Sequence, residues 1–333
     1  MADFIVKSIT KIEAQMSHDV DANYKFNSKS KSKIIALIVT YNPSHEKLIR
    51  IINLISPQVD HLIVIDNGSS NATEFSSVIT CISDLTFISL SRNFGIAYAQ
   101  NVGIRNARDL NAKFVLTLDQ DSIPSTDMVS RLESTHINVG SSSRVAAVGP
   151  LLTDEDSKLP LPFFLYVDGR KKRFIPSVNS GVFDVEFLIS SGTLISMEAL
   201  EEIGLMREEL FISYVDVEFC LRARAAGFRI IASSDAAMKH NLGDRQLRLG
   251  RSIIPLHSPL RHYYLMRGGI YMQKLDSVPR IWKRWDRIQL IRSFLLFSFM
   301  NFPQIDEITS MVRGIIAGLK LKVNKPPSLD LSS

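Results

Sequence analysis

Hydrophobic positions along the chain fall into short runs that are apolar on both faces: Ile34-Ile35-Ala36-Leu37-Ile38-Val39, His61-Leu62-Ile63-Val64-Ile65, Thr86-Phe87-Ile88-Ser89-Leu90 and Phe114-Val115-Leu116-Thr117-Leu118. They alternate with helical stretches over 44–56 and 95–108. Doubly buried β-branched runs interleaved with helices predict a parallel sheet covered by helices, an α/β nucleotide-binding architecture. Further along, the pattern predicts a strand over 145–148 and a strand from Ser191 to Ser196 that leads into a helix from Met197 to Ile203. A helix over 215–226 stopped by Gly227 and a strand over 229–232 follow, and the chain beyond Arg261 reads as helical. Upstream, Ile5, Ile9, Ile12 and Met16 recur at helical spacing before the polar basic stretch Asn27-Ser28-Lys29-Ser30-Lys31-Ser32-Lys33. Residues 1–33 are therefore expected to be a flexible segment, 34–270 the main α/β domain and 271–325 a helical extension.

Composition narrows the class. With 333 residues, 45% of them hydrophobic and 22% charged, the chain can bury a large core and is not disordered throughout. Its two cysteines, Cys81 and Cys220, form no disulfide framework or zinc-spaced cluster and read as packing residues. The start Met1-Ala2-Asp3-Phe4 lacks a secretory pattern, so a cytoplasmic location is expected. The apolar stretch from Phe294 to Met300 is too short to cross a bilayer. The net charge of +5 favours phosphates, nucleotides or anionic lipid without choosing among them, and no nucleic-acid partner is expected. The basic run Arg170-Lys171-Lys172-Arg173 is read foremost as a solvated loop, with phosphate or lipid contact as the other reading.

In open parallel sheets, ligands gather beyond the carboxyl ends of the strands. Here those ends carry Thr40-Tyr41-Asn42, Asp66-Asn67-Gly68-Ser69, Arg92-Asn93 and Asp119-Gln120-Asp121. Two carboxylates one residue apart at a strand end suit a hard divalent cation that also takes substrate phosphates, although a turn aspartate gives the same spelling. Asp66 can accept the imide hydrogen of a pyrimidine or simply cap its own turn. Gly95 lets the backbone pass closely, and Asn93 and Asn101 offer amide contacts. Neither a dinucleotide fingerprint nor a Walker A sequence is present, which argues against nicotinamide and flavin enzymes and leaves phosphate charge to metal and basic side chains. In Tyr214-Val215-Asp216-Val217-Glu218, Asp216 is placed to act as a general base, or the acids serve the helix dipole. Arg222 can pair with Glu218 at helical spacing. His240 is a candidate cation ligand beside the paired aspartates, against a structural role.

Together these motifs resemble family-2 glycosyltransferases of GT-A fold, most closely the rhamnosyltransferase branch acting on bacterial surface polysaccharides. The resemblance spans about residues 34–270 and is carried by Ile38-Val39-Thr40-Tyr41-Asn42, Val64-Ile65-Asp66-Asn67-Gly68-Ser69, Asn93-Phe94-Gly95-Ile96-Ala97, Thr117-Leu118-Asp119-Gln120-Asp121-Ser122, Ser191-Gly192, Tyr214-Val215-Asp216-Val217-Glu218 and Arg261-His262-Tyr263-Tyr264. It implies a mixed, mostly parallel Rossmann-like sheet flanked by helices, with a helical C-terminal extension. Nucleotide and donor contacts would come from Thr40, Tyr41, Asn42, Asp66, Asn67, Asn93, Gly95 and Asp119. Mg²⁺ or Mn²⁺ would sit on Asp119 and Asp121, with His240 matching a metal-contacting histidine of relatives. Asp216 would be the base of an inverting transfer, with Ser191, Gly192 and Glu218 in acceptor or supporting positions.

The implied donor is dTDP-β-L-rhamnose and the implied acceptor a saccharide, free or lipid-linked, in O-antigen or capsule synthesis. Val215 stands where many members carry an acid, leaving Glu218 as the nearby alternative base. The Gln-x-x-Arg-Trp signature of polymerising synthases is absent, so addition of one or a few sugars is expected. Transfer of another hexose is the alternative within the mechanism. A sugar nucleotidyltransferase would show a glycine-rich basic loop where Thr40-Tyr41-Asn42-Pro43 stands, and a non-catalytic binding protein would not need all three aspartates. Arg280, Lys283, Arg284, Arg287 and Arg292 beside Trp282 and Trp285 suit an anionic membrane surface, a core-packing helix or a subunit contact equally.

Overall fold

The structure, a computed structural model, describes residues 32–79, 82–155, 157–167, 170–240, 245–249, 252–256, 258–300 and 305–330. The stretch with helical spacing from Ile5 to Met16, nearly all of the polar linker, and Cys81 lie outside the described residues.

Four strands, β1 (Ile34–Thr40), β2 (His61–Asp66), β3 (Leu85–Ser89) and β4 (Phe114–Asp119), are parallel and adjacent in the order β3-β2-β1-β4. Helices α1 (His45–Ile55), α2 (Ala72–Ile79) and α3 (Ile96–Asp109) make the crossovers between them. The register pairs Thr40 with Asp66 and Val39 with Asp119, so the polar strand ends of the sequence reading meet at one edge of the sheet. Leu48, Ile51, Ile52 and Ile55 of α1 recur at helical spacing and are buried, which seats that helix on the sheet.

Beyond β4 the sheet becomes mixed. After β5 (Ile123–Pro124) and α4 (Met128–Gly140) come β6 (Val145–Asp154), the hairpin β7 (Phe163–Val167) and β8 (Arg170–Phe174), and β9 (Val182–Asp184). Next are β10 (Thr193–Ser196), α5 (Met197–Ile203), α6 (Val215–Ala225) and β11 (Arg229–His240). Strand β10 runs antiparallel between β4 and β6, and β11 is parallel to β6 and antiparallel to β5 and β9. Both β6 and β11 run well past their predicted ends. Pro150 within β6 donates nothing to the ladder, and β11 accommodates this with a register shift between Ser233 and Ala237 before pairing resumes to His240.

The basic run 170–173 corrects the loop reading, since it forms β8, with Lys171 opposite Tyr166. Four consecutive basic residues carry no apolar alternation from which a strand could be read. A second hairpin, β12 (Arg245–Leu249) with β13 (Ser252–Leu256), precedes the helices α7 (Pro259–Met272), α8 (Arg280–Met300) and α9 (Ile305–Lys320).

The C-terminal helices belong to the same compact unit as the sheet, which extends from Ser32 to the end of the chain. Met266, Leu290, Phe297 and Met311 form their shared core. At the α7–α9 crossing a Cβ on Gly314 would lie 2.3 Å from the carbonyl oxygen of Tyr263, so only glycine permits that approach. No described helix is long and apolar enough to cross a membrane.

Candidate active site

The segment Ser190-Ser191-Gly192, leading into β10, ties two carboxylates to one place. The Ser191 hydroxyl accepts the Asp119 amide at 3.3 Å, and the Ser190 amide donates to Asp216 Oδ2 at 3.2 Å. Gly192 donates its amide to the Thr117 carbonyl at 2.8 Å, with φ at +80° and Pro150 and Met238 packed against its α-carbon. Ser191 is buried and also pairs with the Ser122 hydroxyl. Ser191 and Gly192 thus support the acidic groups from behind, on the structural side of the roles expected for them.

Asp119 ends β4, and pairing of β5 with β11 carries His240 back to it. His240 Nδ1 stands 3.9 Å from Asp119 Oδ2, buried and with no hydrogen-bond partner. The Asp119 side chain keeps 35% of its surface exposed, yet desolvation in the cleft pushes its carboxyl above the ordinary range. His240 pulls the other way, the Asp121 charge adds to the rise, and Ser191 and Arg261 lower it.

Asp216 sits in the first turn of α6, where Val217 donates its amide to Oδ1 at 2.8 Å. Burial raises the Asp216 carboxyl, the two backbone amides lower it, and the Asp119 charge raises it again. The Asp121 charge thus acts on Asp119, and that of Asp119 on Asp216, which links acids from β4, the loop after it and α6.

Among the described residues no three His, Cys, Asp or Glu side chains close into a metal cluster. The donor set nevertheless fits a hard divalent cation: carboxylate oxygens from Asp119 and Asp121 beside an imidazole nitrogen that is buried and unsatisfied.

The nucleotide end of the crevice departs from expectation. Thr40 and Asp66 have no exposed surface. Asp66 accepts the Thr40 hydroxyl at 3.3 Å, the Ser69 amide at 3.1 Å and the Ser69 hydroxyl, so of its two readings the structure displays the turn cap. Asn67 is likewise buried, donating to Asn93 Oδ1 at 3.1 Å and accepting the Phe94 amide at 2.9 Å. In this arrangement the three side chains brace the strand ends: Asp66 holds its own turn through Ser69, and Asn67 ties that turn to the segment at Asn93 and Phe94.

Exposed surface belongs instead to Tyr41, Asn42 and Asn93, with the Tyr41 amide held by Gln120 Oε1 at 2.9 Å. Asn42 adopts the left-handed region with φ of 45°, which asparagine tolerates, and its amide nitrogen donates to the Ser69 hydroxyl at 2.8 Å. Gly95 has φ of +91°, and a Cβ there would lie 2.6 Å from the Phe211 ring. The close passage expected at Gly95 is thus packing against the residue that stacks on Tyr264, with ring centroids 4.3 Å apart. Asn101 is buried in structural bonds to Met206 and Glu208.

The reading of Glu218 as an alternative base is also corrected. Its carboxylate is fully buried between Arg207 at 2.8 Å and Arg222 at 2.9 and 3.0 Å, on the inner face of α6. A fully buried carboxylate clamped by two guanidinia has no access to a substrate hydroxyl. The helical spacing with Arg222 was legible, whereas Arg207 lies outside the helix, eleven residues before Glu218, where no periodicity announces it. Cys220 packs in the core as expected, and burial pushes its thiol up to about 12.

Sequence reasoning missed a second set of residues around this site. Tyr214, two positions before Asp216, has φ of 69° and donates its hydroxyl to Asp286 Oδ1 on α8 at 2.9 Å. Gln273 donates to Asp286 Oδ2 at 3.1 Å, and the Tyr214 ring meets Trp282 edge to face at 5.9 Å. The signal was present: Asp286 is the one acid in a basic, tryptophan-bearing stretch from 280 to 300.

A crossover-connected sheet with acidic groups at its carboxyl edge and an antiparallel β10 inserted beside β4 is the GT-A class of glycosyl-transfer fold. Comparison with known proteins agrees: the description Glycosyl transferase family 2 matches residues 35–204, and the chain belongs to that family and is a glycosyltransferase. Among its relatives, the dTDP-rhamnosyl transferase RfbF of Shigella flexneri is 34% identical over 86% of this chain and 95% of its own. The low-salt glycan biosynthesis hexosyltransferase Agl10 of Haloferax volcanii is 22% identical over 88% of this chain and 93% of its own. Similar solved structures include S. aureus TarS 1-349, with a TM-score of 0.53 and 17% identity over 86% of this chain and 81% of that one. GalNAc-T7 with UDP, GalNAc and Mn2+ has a TM-score of 0.54 and 13% identity, over 82% of this chain and 58% of that one.

Proposed function

We propose that the chain transfers L-rhamnose from dTDP-β-L-rhamnose to a saccharide hydroxyl, with inversion, in the assembly of a surface polysaccharide. The observation that carries this reading is the convergence of Asp119, Asp121 and Asp216 on one crevice. The kinship with a dTDP-rhamnosyl transferase supports the donor. Exposed Tyr41, Asn42 and Asn93 are the groups proposed to meet the nucleoside, on the turn that Thr40, Asp66 and Asn67 hold rigid.

Asp216 takes the proton of the acceptor hydroxyl. The freed oxygen attacks the anomeric carbon from the face opposite the diphosphate, whose bond to that carbon breaks, so a β donor gives an α-linked rhamnoside. The raised proton affinity of Asp216 suits this role, and the amides of Ser190 and Val217 fix the carboxylate in place. A Mg²⁺ or Mn²⁺ ion held by Asp119, Asp121 and His240 would neutralise the departing diphosphate.

Residues 34–270 are proposed as the transferase domain, with 271–325 an extension whose outer face meets a membrane. Arg284, Arg287, Ile288, Ile291, Arg292 and Leu295 form that exposed face of α8, a basic-apolar mixture suited to anionic headgroups and to a lipid-linked acceptor. Incubation of the purified protein with a panel of nucleotide sugars and divalent ions tests the donor. Release of dTDP from the rhamnose donor is expected, and preferential use of another hexose donor would assign the chain to the alternative specificity.

A further inference from the structure

We propose that the cavity between the β7–β8 hairpin, the start of α6 and α8 is the subsite for the acceptor saccharide, with a pyranose ring lying on the Trp282–Trp285 wall. This rests on the transferase reading above. The cavity has a volume of about 400 Å³, within the range of small-molecule sites. Ser213, Tyr214 and Val217 line one side and flank Asp216, so the space opens beside the proposed base. Arg261 lines another part, and its charge reaches Asp119. The cavity is thus walled by the residues on either side of Asp216 in the chain and by Arg261, while Asp216, Asp119, Asp121 and His240 themselves lie outside its lining.

Its chemistry matches a sugar. A pyranose offers apolar C–H faces and a rim of hydroxyl groups, and it needs an aromatic platform edged by donors and acceptors. Trp285, 36% exposed, supplies the platform with the buried Trp282 beside it in the wall, Tyr166 and Phe187 add aromatic lining, and Lys171, Asp286 and Gln289 supply the edge. Asp286 is only 9% exposed, and each of its oxygens already accepts one bond, from Tyr214 or Gln273, leaving acceptor capacity for a sugar hydroxyl. Most of the lining lies beyond residue 204, outside the stretch matched to the family, as expected of a surface that chooses the acceptor.

The cavity also bears on the base. Gly268 on α7 admits the Tyr214 ring so closely that a Cβ there would stand 2.9 Å from Cδ2. Asp286 and Trp282 hold the other side of that ring, and the residue so clamped begins the helix carrying Asp216.

Both tryptophans of the chain line this cavity, so intrinsic emission reports on it alone. The full chain is titrated with the methyl pyranosides of L-rhamnose, D-glucose, D-galactose and N-acetyl-D-glucosamine, with and without dTDP. A saturable change with at least one pyranoside is expected. Trp285→Ala and Gln289→Ala, both at exposed positions, are expected to weaken that sugar about tenfold while dTDP binding persists. A protein that turns over a nucleotide sugar but shows no emission change with any pyranoside, or whose variants bind the sugar as tightly as wild type, overturns the subsite. Absence of both dTDP binding and nucleotide-sugar turnover would instead defeat the transferase reading, and a pyranoside response would then still uphold a saccharide site.

Discussion

Replacing Asp286 by asparagine isolates a pH dependence that the structure specifies. Burial lifts this carboxyl to about 6, against the pull of its bonds from Tyr214 and Gln273 and of the Lys171 charge. The ordinary aspartate value is about 4, so the folded state holds the proton more tightly than the unfolded one, by about 3 kcal/mol. The sign follows from that ordering. Below about pH 4 the group is protonated in both states and its contribution is complete. As pH rises through about 6 the contribution is lost, because a buried carboxylate must then be tolerated.

Asparagine stays neutral and, with the Gln273 amide turned, accepts the Tyr214 hydroxyl on Oδ1 and donates Nδ2 to the Gln273 carbonyl oxygen. The wild type should therefore lose ground to Asp286→Asn by up to about 3 kcal/mol between pH 4 and pH 8. Urea denaturation at a series of pH values measures this, as a shift in midpoint difference of about 1 M for a slope near 3 kcal/mol per M. Other titrating groups are common to both proteins and cancel in the difference. A gap between the two proteins that stays constant with pH would refute the burial argument.

Other outcomes follow from the same geometry. Glu218→Ala leaves two buried guanidinia without their carboxylate and should cost about 3–5 kcal/mol of stability in chemical denaturation, without a selective effect on acceptor affinity. Asp121→Ala should abolish the enhancement of dTDP binding by Mg²⁺ or Mn²⁺ seen by calorimetry, and an unchanged enhancement would remove Asp121 from the cation site. Joint replacement of Arg284, Arg287 and Arg292 by glutamine should weaken binding to phosphatidylserine vesicles about a hundredfold, at about 1 kcal/mol for each charge, with the fold intact because all three are exposed. Equal flotation of wild type and variant would favour packing or subunit contact for this face.

The parallel half of the fold was legible because β1 to β4 are apolar on both faces, and their polar ends announce the crevice. Asp119, Asp121, Asp216 and His240 stand out as candidates for a similar reason, each at or near an element boundary, and the structure sets Asp119 near His240 and within charge range of Asp121 and Asp216. What the sequence hid depends on partners far away in the chain. Thr40, Asp66 and Asn67 looked like ligand groups because a turn acid and a substrate acid are spelled alike until the donors around them are known. Glu218 showed its helical partner Arg222 but not Arg207, which arrives from the loop before α6. The extent of β6 and β11 was obscured by Pro150, whose cost is met by a bulge on the other strand. The cavity proposed for the acceptor was hidden most completely, since its walls come from a hairpin, a helix start and the C-terminal helices.

The central claim is that carboxylates from separate elements act on one substrate, with Asp216 deprotonating the incoming alcohol. Its most direct test is the anomeric configuration and rate of rhamnosyl product formed from dTDP-β-L-rhamnose and a panel of saccharide acceptors, by wild type and by Asp216→Asn, with dTDP affinity measured alongside. The account predicts an α-linked product from the wild type, and a rate at least about a hundredfold lower in the variant at nearly unchanged dTDP affinity. A β-linked product, or a variant that transfers at the wild-type rate, would contradict it.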